Sequence, residues 1–563
     1  MDLRLALAAA AGVLALVYPA TAGAQAEGPD ERAGGDEPPV SEERAVTIAK
    51  GDPNAAHALR RNPDLHPSAN RSDSDGDWEV GFFDDDEQIV QVVVDDDSAE
   101  IEESWTGYQV AWTMARGYDG AFGRKLNAPY VWLPLCAIFI IGLFDWRRPL
   151  RVAHLDLFVI TAGFGVSHFF FNEGEIGVSV PLAYPALVYL LVRTLWLAFR
   201  GGEGLRPSLP VRWLAIATLA LIGFRIGLNV ADSNVIDVGY AGVVGADLTT
   251  DREPLYENFP EDVSRGDTYG PANYYAYVPF EYVLPWGGSW DDLPAAHAAA
   301  IFFDLGTIAA LFLLGRRLRP SDGGALGILL AFGWAACPYT AFALESNTND
   351  ALVPLILTCA LLFLAQPAVR GGLLALAGLT KFAPLALAPL FATYASGPRA
   401  GGAAGGAHVR GRVRPQEMGG TAVTGPARRA LATLVPFTGA FLAITVVLLV
   451  ETFLDPGLGT FWDRTIGNQV DRESPFSIWG QEPDLGRLQT ALEVFAVGLA
   501  LLVAFRPRAR SPVTVAALGA AVLIALQLTV EHWFYLYIPW FLGFLLVALL
   551  AREAPDVERR APA

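Results

Sequence analysis

The sequence predicts a mostly α-helical, polytopic membrane protein with about eleven transmembrane helices plus a re-entrant hairpin, preceded by a small exported α+β domain. Three observations predict it. First, 53% of the 563 residues are hydrophobic, yet the formal charge is -19, a combination that joins apolar spans to acidic water-facing parts. Second, apolar runs suited to crossing a bilayer recur near residues 129–144, 154–171, 176–199, 212–230, 296–315, 324–344, 350–366, 430–453, 489–505, 512–530 and 533–551. Third, the start, "MDLRLALAAAAGVLALVYPATAGAQA", carries an early arginine, a short apolar stretch and Ala24 and Ala26 in A-x-A spacing. That is the pattern of a signal peptide over residues 1–26; an uncleaved anchor helix is the other reading, and either one exports the chain downstream of it.

Residues 27–40 are rich in Gly, Pro and acids, the composition of a disordered linker. The stretch "SEERAVTIAKGDPNAAHALRRNP" reads as a helix capped by Ser41, and "DWEVGFFDD", "QIVQVVVDDD" and "AEIEESW" alternate as short strands joined by Asp-rich turns. Residues 41–106 therefore form a small α+β domain, and its helix, its Trp78 strand and the "VVVDDDSAEIEE" ending resemble a PepSY domain. The runs Asp84–Asp86 and Asp95–Asp97 invite a calcium reading, but they lack EF-type spacing, so solvated turns are the preferred reading and no metal site is assigned.

The membrane part divides into three accessory transmembrane helices (107–211), a membrane core (212–551) and a cytoplasmic tail (552–563). With the N-terminal domain outside, the inner loops are "DWRRPLR", "RGGEGLRPSLPVR", "GRRLRP", 366–429 and "RPRAR", which carry the arginines. The outer loops, "NEGE", 231–295, "ESNTND" and 454–488, are mostly acidic. A full crossing by "LLALAGLTKFAPLALAPLFATY" (373–394) would reverse this charge bias, so the segment reads as a re-entrant hairpin, broken by Gly371, Gly372, Gly378, Pro384 and Pro389. Residues 395–429 then form a flexible cytoplasmic loop. The acidic balance excludes nucleic acid as a partner. Cys136, Cys337 and Cys359 sit in apolar runs as small hydrophobes rather than as a disulfide or metal framework. His154, Asp156 and His168 make no metal site either, since helix rise separates the first two from the third by about 20 Å.

Asp232 and Asp237 lie at the outer mouth of the fourth span and open the longest external loop. That loop is rich in tyrosine, asparagine and acids, a composition suited to stacking on sugar rings and bonding their hydroxyls at a water–lipid boundary. Lys381 is one of only three lysines among 40 basic residues, and it stands in an apolar segment. The pattern "DVGYAGVVGADLTTDREPLY", the "GDTYGPANY" turn and the later "GLTKFAPLALAPL" resemble polyprenol-phosphate-mannose-dependent mannosyltransferases of the GT-C superfamily, glycosyltransferase family 87-like, over about residues 212–551. The exported domain and the first three spans depart from that pattern. The resemblance implies a GT-C-like fold, Asp237 as the catalytic acid and Lys381 as the Lys of a Lys-x-x-Pro segment, with Asp232 as a second acid.

The chemistry is set by the donor. A lipid-phosphate sugar has an activated anomeric carbon and an anionic leaving group, so catalysis needs a base for the acceptor hydroxyl and a cation for the phosphate. Asp237 supplies the first, giving inversion, and Lys381 the second, because an intramembrane ammonium needs an anionic partner. His532 in "EHWFYLYIPW" is a second candidate for the phosphate, and Tyr240, Tyr256, Asp267, Tyr269, Asn347, Asn349 and Asp350 are candidates for contact with substrate. Plainer roles stand beside these: helix capping for the acids and for "ESNTND", snorkelling for Lys381, a turn bond for Asp267 and an aromatic belt around His532. The expected function is a plasma-membrane hexosyltransferase without a cofactor. Its partners are a polyprenyl-phosphate sugar, an exported glycan, lipid or protein acceptor, and membrane lipids. A transporter or lipid-carrier flippase, and a non-enzymatic signalling or assembly protein, are the alternatives.

Overall fold

The computed structural model describes residues 40–72, 76–85, 87–117, 123–202, 204–290, 293–319, 322–394, 426–470, 474–508 and 510–551. The expected signal peptide and linker up to residue 39, Asp86, residues 395–425 of the expected loop and the expected tail 552–563 lie outside the described residues. The chain divides into two compact units between Arg116 and Gly117.

The first unit holds α1 (Glu42–Lys50), α2 (Pro53–Arg61) and a four-stranded antiparallel meander, β1 (His66–Arg71), β2 (Trp78–Asp84), β3 (Glu87–Val94) and β4 (Ile101–Thr106). The single helix read from sequence is two. Asp52 stops the first and caps the second, accepting from Asn54 N at 2.8 Å and Ala55 N at 3.0 Å, while Pro53 lacks the N–H that a continuous helix needs. Strand β1 is the element that sequence reading missed; its "HPSANR" lacks apolar alternation because its face is largely exposed. The core alternates as strand geometry requires, with Val90, Val92 and Val94 of β3 buried with Val80 and Phe82 of β2 and Ala45 and Ala49 of α1.

The second unit is helical. Its elements are α3 (Pro129–Leu143), α4 (Ala153–Asn172), α5 (Ile176–Arg200), α6 (Val211–Asp232), α7 (Asp237–Asp251), α8 (Pro271–Glu281), α9 (Pro294–Leu318), α10 (Gly323–Ala335), α11 (Pro338–Glu345), α12 (Leu352–Leu362), α13 (Pro367–Thr380), α14 (Ala388–Ala392), α15 (Pro426–Leu454), α16 (Gly486–Leu502), α17 (Pro512–Gln527) and α18 (Ile538–Leu550). Among the described residues six helices are long and apolar enough to cross a membrane, or seven if α10 and α11, bent by 59° at Ala336–Cys337, count as one. The sequence reading of eleven exceeds that number. Four of its runs form shorter apolar helices, Pro129–Leu143, Asn349–Leu362, Pro512–Gln527 and Tyr535–Leu550.

Helix α13 ends inside the segment read as a hairpin, but its three glycines named as breaks, Gly371, Gly372 and Gly378, lie within the helix. Gly371 sits inside the helix, and a Cβ there would lie 2.3 Å from Phe437 O of α15, so this glycine serves close helix approach. The chain turns at Lys381, whose backbone is extended, just before Pro384, and returns through a 3-10 turn (Ala383–Leu387) and α14. The Leu385 side chain fills the space beside Gly378, and Arg370 Nη2 donates to Tyr394 O at 2.6 Å. The two limbs thus fold against each other as a hairpin with Lys381 at its tip.

Candidate functional site

At the hairpin tip Lys381 meets an acid from another turn. Its Nζ donates to Asp350 Oδ1 at 2.6 Å, and both residues are buried. Asp350 belongs to "ESNTND", the turn between α11 and α12, in which all six residues are buried. Thr348 shapes this turn: its Oγ1 accepts from Asp350 N at 2.8 Å and donates to Asp350 Oδ2 at 2.8 Å. Trp540 Nε1 donates to Asp350 Oδ1 at 2.9 Å. The ring centroids of Trp540, Tyr269 and Tyr537 stand 5.2, 5.3 and 5.5 Å from the Lys381 ammonium, a cage of negative aromatic faces around a cation.

This cage lines a cavity of about 480 Å³. The other walls come from Gln489 and Glu493 of α16, Gln527 at the end of α17, and the segment after it with Thr529, Glu531 and His532. Glu531 Oε1 accepts from Gln489 Nε2 at 3.2 Å, and His532 Nδ1 lies 2.8 Å from Ser474 Oγ. The lining therefore joins a cation and aromatic rings to amides and carboxylates, and the two sets adjoin, since Gln527 Nε2 donates to Tyr537 O at 2.8 Å. Helices α4 and α5 brace the cage: the Tyr535 hydroxyl bonds Ser167 of α4 at 2.6 Å and Ser179 of α5 at 2.9 Å, two residues before Tyr537.

Of the residues singled out from sequence, Lys381, His532 and Tyr269 line the cavity, and Asp350 holds Lys381 from behind. Asp237 is not among the lining residues. It is the exposed first residue of α7, with Oδ1 accepting from Val238 N at 2.8 Å. Its segment nevertheless lies on the "ESNTND" turn, since Ile236 N donates to Ser346 O at 3.3 Å and a Cβ on Gly239 would lie 2.2 Å from Asn347 O. Asp232, at the end of α6, pairs with Lys125 at 3.1 Å.

The remaining residues are tied into the protein itself. Asp267 grips Arg464 with two bonds of 2.6 and 2.7 Å and accepts from Glu257 N at 2.9 Å, so it closes the loop before α8. The hydrogen bonds and charge of Asp267 raise the Arg464 guanidinium above its ordinary value. Tyr240 donates to Asp262 at 3.0 Å and Tyr256 donates to Tyr269 O at 3.0 Å. Asn347 donates to Ser233 Oγ and Asn234 O at 3.0 and 2.8 Å, and Asn349 Nδ2 donates to Asn273 Oδ1 at 2.8 Å. His154 Nε2 accepts from Asp145 N at 3.0 Å, Asp156 holds Arg193 at 2.8 Å, and His168 is stacked on Tyr535 with centroids 4.5 Å apart. In the first unit Asp77, Asp95 and Glu102 bring carboxylate oxygens within 4.8 Å of one another, and Asp77 already accepts from Asp96 N at 3.2 Å.

Sequence reasoning missed Tyr537 and Trp540, because aromatic residues near a helix end read equally well as an interfacial belt. Their spacing of three on one helix turn was the available signal. It also missed Asp304, an acid in an apolar run, which pairs with Arg225 at 2.5 Å. No protein-family model matches the chain, and a search of curated proteins gave no match.

Proposed function

We propose that the protein is a membrane hexosyltransferase that moves a sugar, mannose by resemblance, from a polyprenyl-phosphate donor to an exported acceptor with inversion. The observation that carries this reading is the Lys381 cation, buried in an aromatic cage and lining a cavity that amide and carboxylate side chains also line. A volume of about 480 Å³ falls within the roughly 300–1,000 Å³ of small-molecule sites. Lys381 would bind the donor phosphate by a charge-assisted hydrogen bond, and ring faces and amides would hold the hexose. In this reading the apolar helices amount to eleven crossings of a plasma membrane, the hairpin is re-entrant and the cavity opens outward.

Two carboxylates compete for the proton of the acceptor hydroxyl. Asp237 is the one favoured by the resemblance. Glu531 is favoured by its position on the cavity wall. Assay of membranes carrying Asp237→Asn or Glu531→Gln with radiolabelled polyprenyl-phosphate mannose decides between them. The base should lose about 10²–10⁴-fold in transfer. Undiminished transfer in both variants removes the mechanism. A reporter fused within 395–429 tests the hairpin, since an external signal there is incompatible with it.

A further inference from the structure

The Lys381–Asp350 pair has a consequence for substrate charge, and it rests on the phosphate-binding reading above. We infer that Asp350 is a positioning residue that tunes the cavity for a singly charged phosphodiester and drives out the doubly charged phosphomonoester left after transfer. The geometry gives Asp350 two anchors besides the lysine, Trp540 Nε1 at 2.9 Å and Thr348 Oγ1 at 2.8 Å. The carboxylate can therefore stay in place while Lys381, on a flexible four-carbon stem at the hairpin tip, turns its ammonium toward a ligand in the cavity. Asp350 itself is walled off from the cavity, whose lining includes Lys381, Tyr269, Tyr537 and Trp540.

The reaction dictates the charges. The anomeric C1–O bond to phosphate breaks, and its electron pair stays on the phosphate oxygen. The acceptor oxygen forms the new bond to C1 and gives its proton to the carboxylate base. The donor diester carries one negative charge, whereas the polyprenyl phosphate released has a second ionisation near pH 6, so it is close to doubly charged at neutral pH. Lys381 and Asp350 cancel each other, and Glu493 and Glu531 add negative charge to the cavity wall, so the donor brings one further negative charge and the product nearly two into a site whose cation is already neutralised by a buried carboxylate. Repulsion in a low-dielectric setting then favours release of the product over retention. Without Asp350 the ammonium would hold the dianion more tightly.

The test uses the detergent-purified full chain, with farnesyl phosphate as the monoester probe and farnesyl methyl phosphate as the diester probe, titrated calorimetrically. Asp350→Asn should bind the monoester about tenfold tighter, with a smaller gain for the diester, and farnesyl phosphate should become a stronger inhibitor of transfer as kcat falls without a rise in donor KM. A purely structural role for Asp350 predicts weaker binding of both probes, and that result overturns the inference. If Lys381→Met binds both probes as the wild type does, the phosphate reading of the cavity falls. If Lys381→Met loses binding while Asp350→Asn gains none, that reading stands and the inference falls. Should Asp350→Asn fail to fold, Thr348→Val supplies the opposite sign. Deprived of one donor, the carboxylate leans harder on Lys381 and monoester affinity drops about two- to threefold; unchanged or tighter binding then overturns the inference.

Discussion

Two buried ion pairs, Arg225–Asp304 and Lys381–Asp350, look alike in a residue inventory and differ in what surrounds them. Arg225 is enclosed. Its guanidinium donates to Asp304 at 2.5 and 3.2 Å, to Thr340 Oγ1 at 3.0 Å and to Ala335 O at 3.3 Å, while Trp334 Nε1 donates to Asp304 at 2.8 Å. Ala335 and Thr340 flank the bend between α10 and α11, so this pair fastens α6 and α9 to a broken helix and satisfies its freed carbonyl. Lys381 meets a carboxylate and three ring faces and lines a cavity. A planar fork with five donors suits a closed network; a compact ammonium on a flexible stem suits exchange of partners. The difference separates a fastening from a site.

The largest expected effect breaks the fastening. Arg225→Ala should destabilise the protein by about 3–5 kcal/mol, because it leaves the Asp304 carboxylate buried without its cation. Thermal unfolding in detergent measures this, and Arg225→Met combined with Asp304→Leu should recover most of the loss. A melting temperature unchanged in Arg225→Ala would show that the pair fastens nothing. Next, Lys381→Met should lower transfer about 100-fold, roughly 2.7 kcal/mol of transition-state stabilisation, with a smaller fall in melting temperature than Arg225→Ala. The reverse ranking would make Lys381 the fastening.

Smaller effects sharpen the contrast. Asp267→Asn weakens the double bond to Arg464 and should cost about 1.5–3 kcal/mol of local stability, read as faster protease cutting within 252–270 while the global melting temperature changes little. Equal cutting rates would show that the loop is held elsewhere. The smallest change, Trp540→Phe, keeps a ring face beside Lys381 and removes one hydrogen bond to Asp350, so a loss of about 1 kcal/mol is expected in thermal unfolding.

Much of the membrane architecture was legible in the chain because spanning length and apolarity are local properties. The long helices coincide with apolar runs, and the hairpin reversal at Lys381 falls inside the segment 373–394 that was read as a hairpin. Strands β2, β3 and β4 were legible from alternation, whereas β1 was not, since an exposed strand carries no apolar period. In the candidate site Lys381 stood out by its rarity. Asp350 was named for contact with substrate but not as the partner of Lys381, because it lies 31 residues earlier in a turn whose composition equally suited capping or sugar binding.

By itself the sequence determined an apolar, multi-helix chain with a small α+β unit at its start, because burial patterns and helix length are written residue by residue. It also singled out Lys381, since a lysine is rare in this chain and stands there in an apolar run. Only the tertiary structure decided which acid each cation meets, that Arg225 is enclosed and Lys381 opens on a cavity, and that Tyr537 and Trp540 are cage walls. The reason is physical: an ion pair depends on distances between side chains far apart along the chain, and only packing fixes those distances.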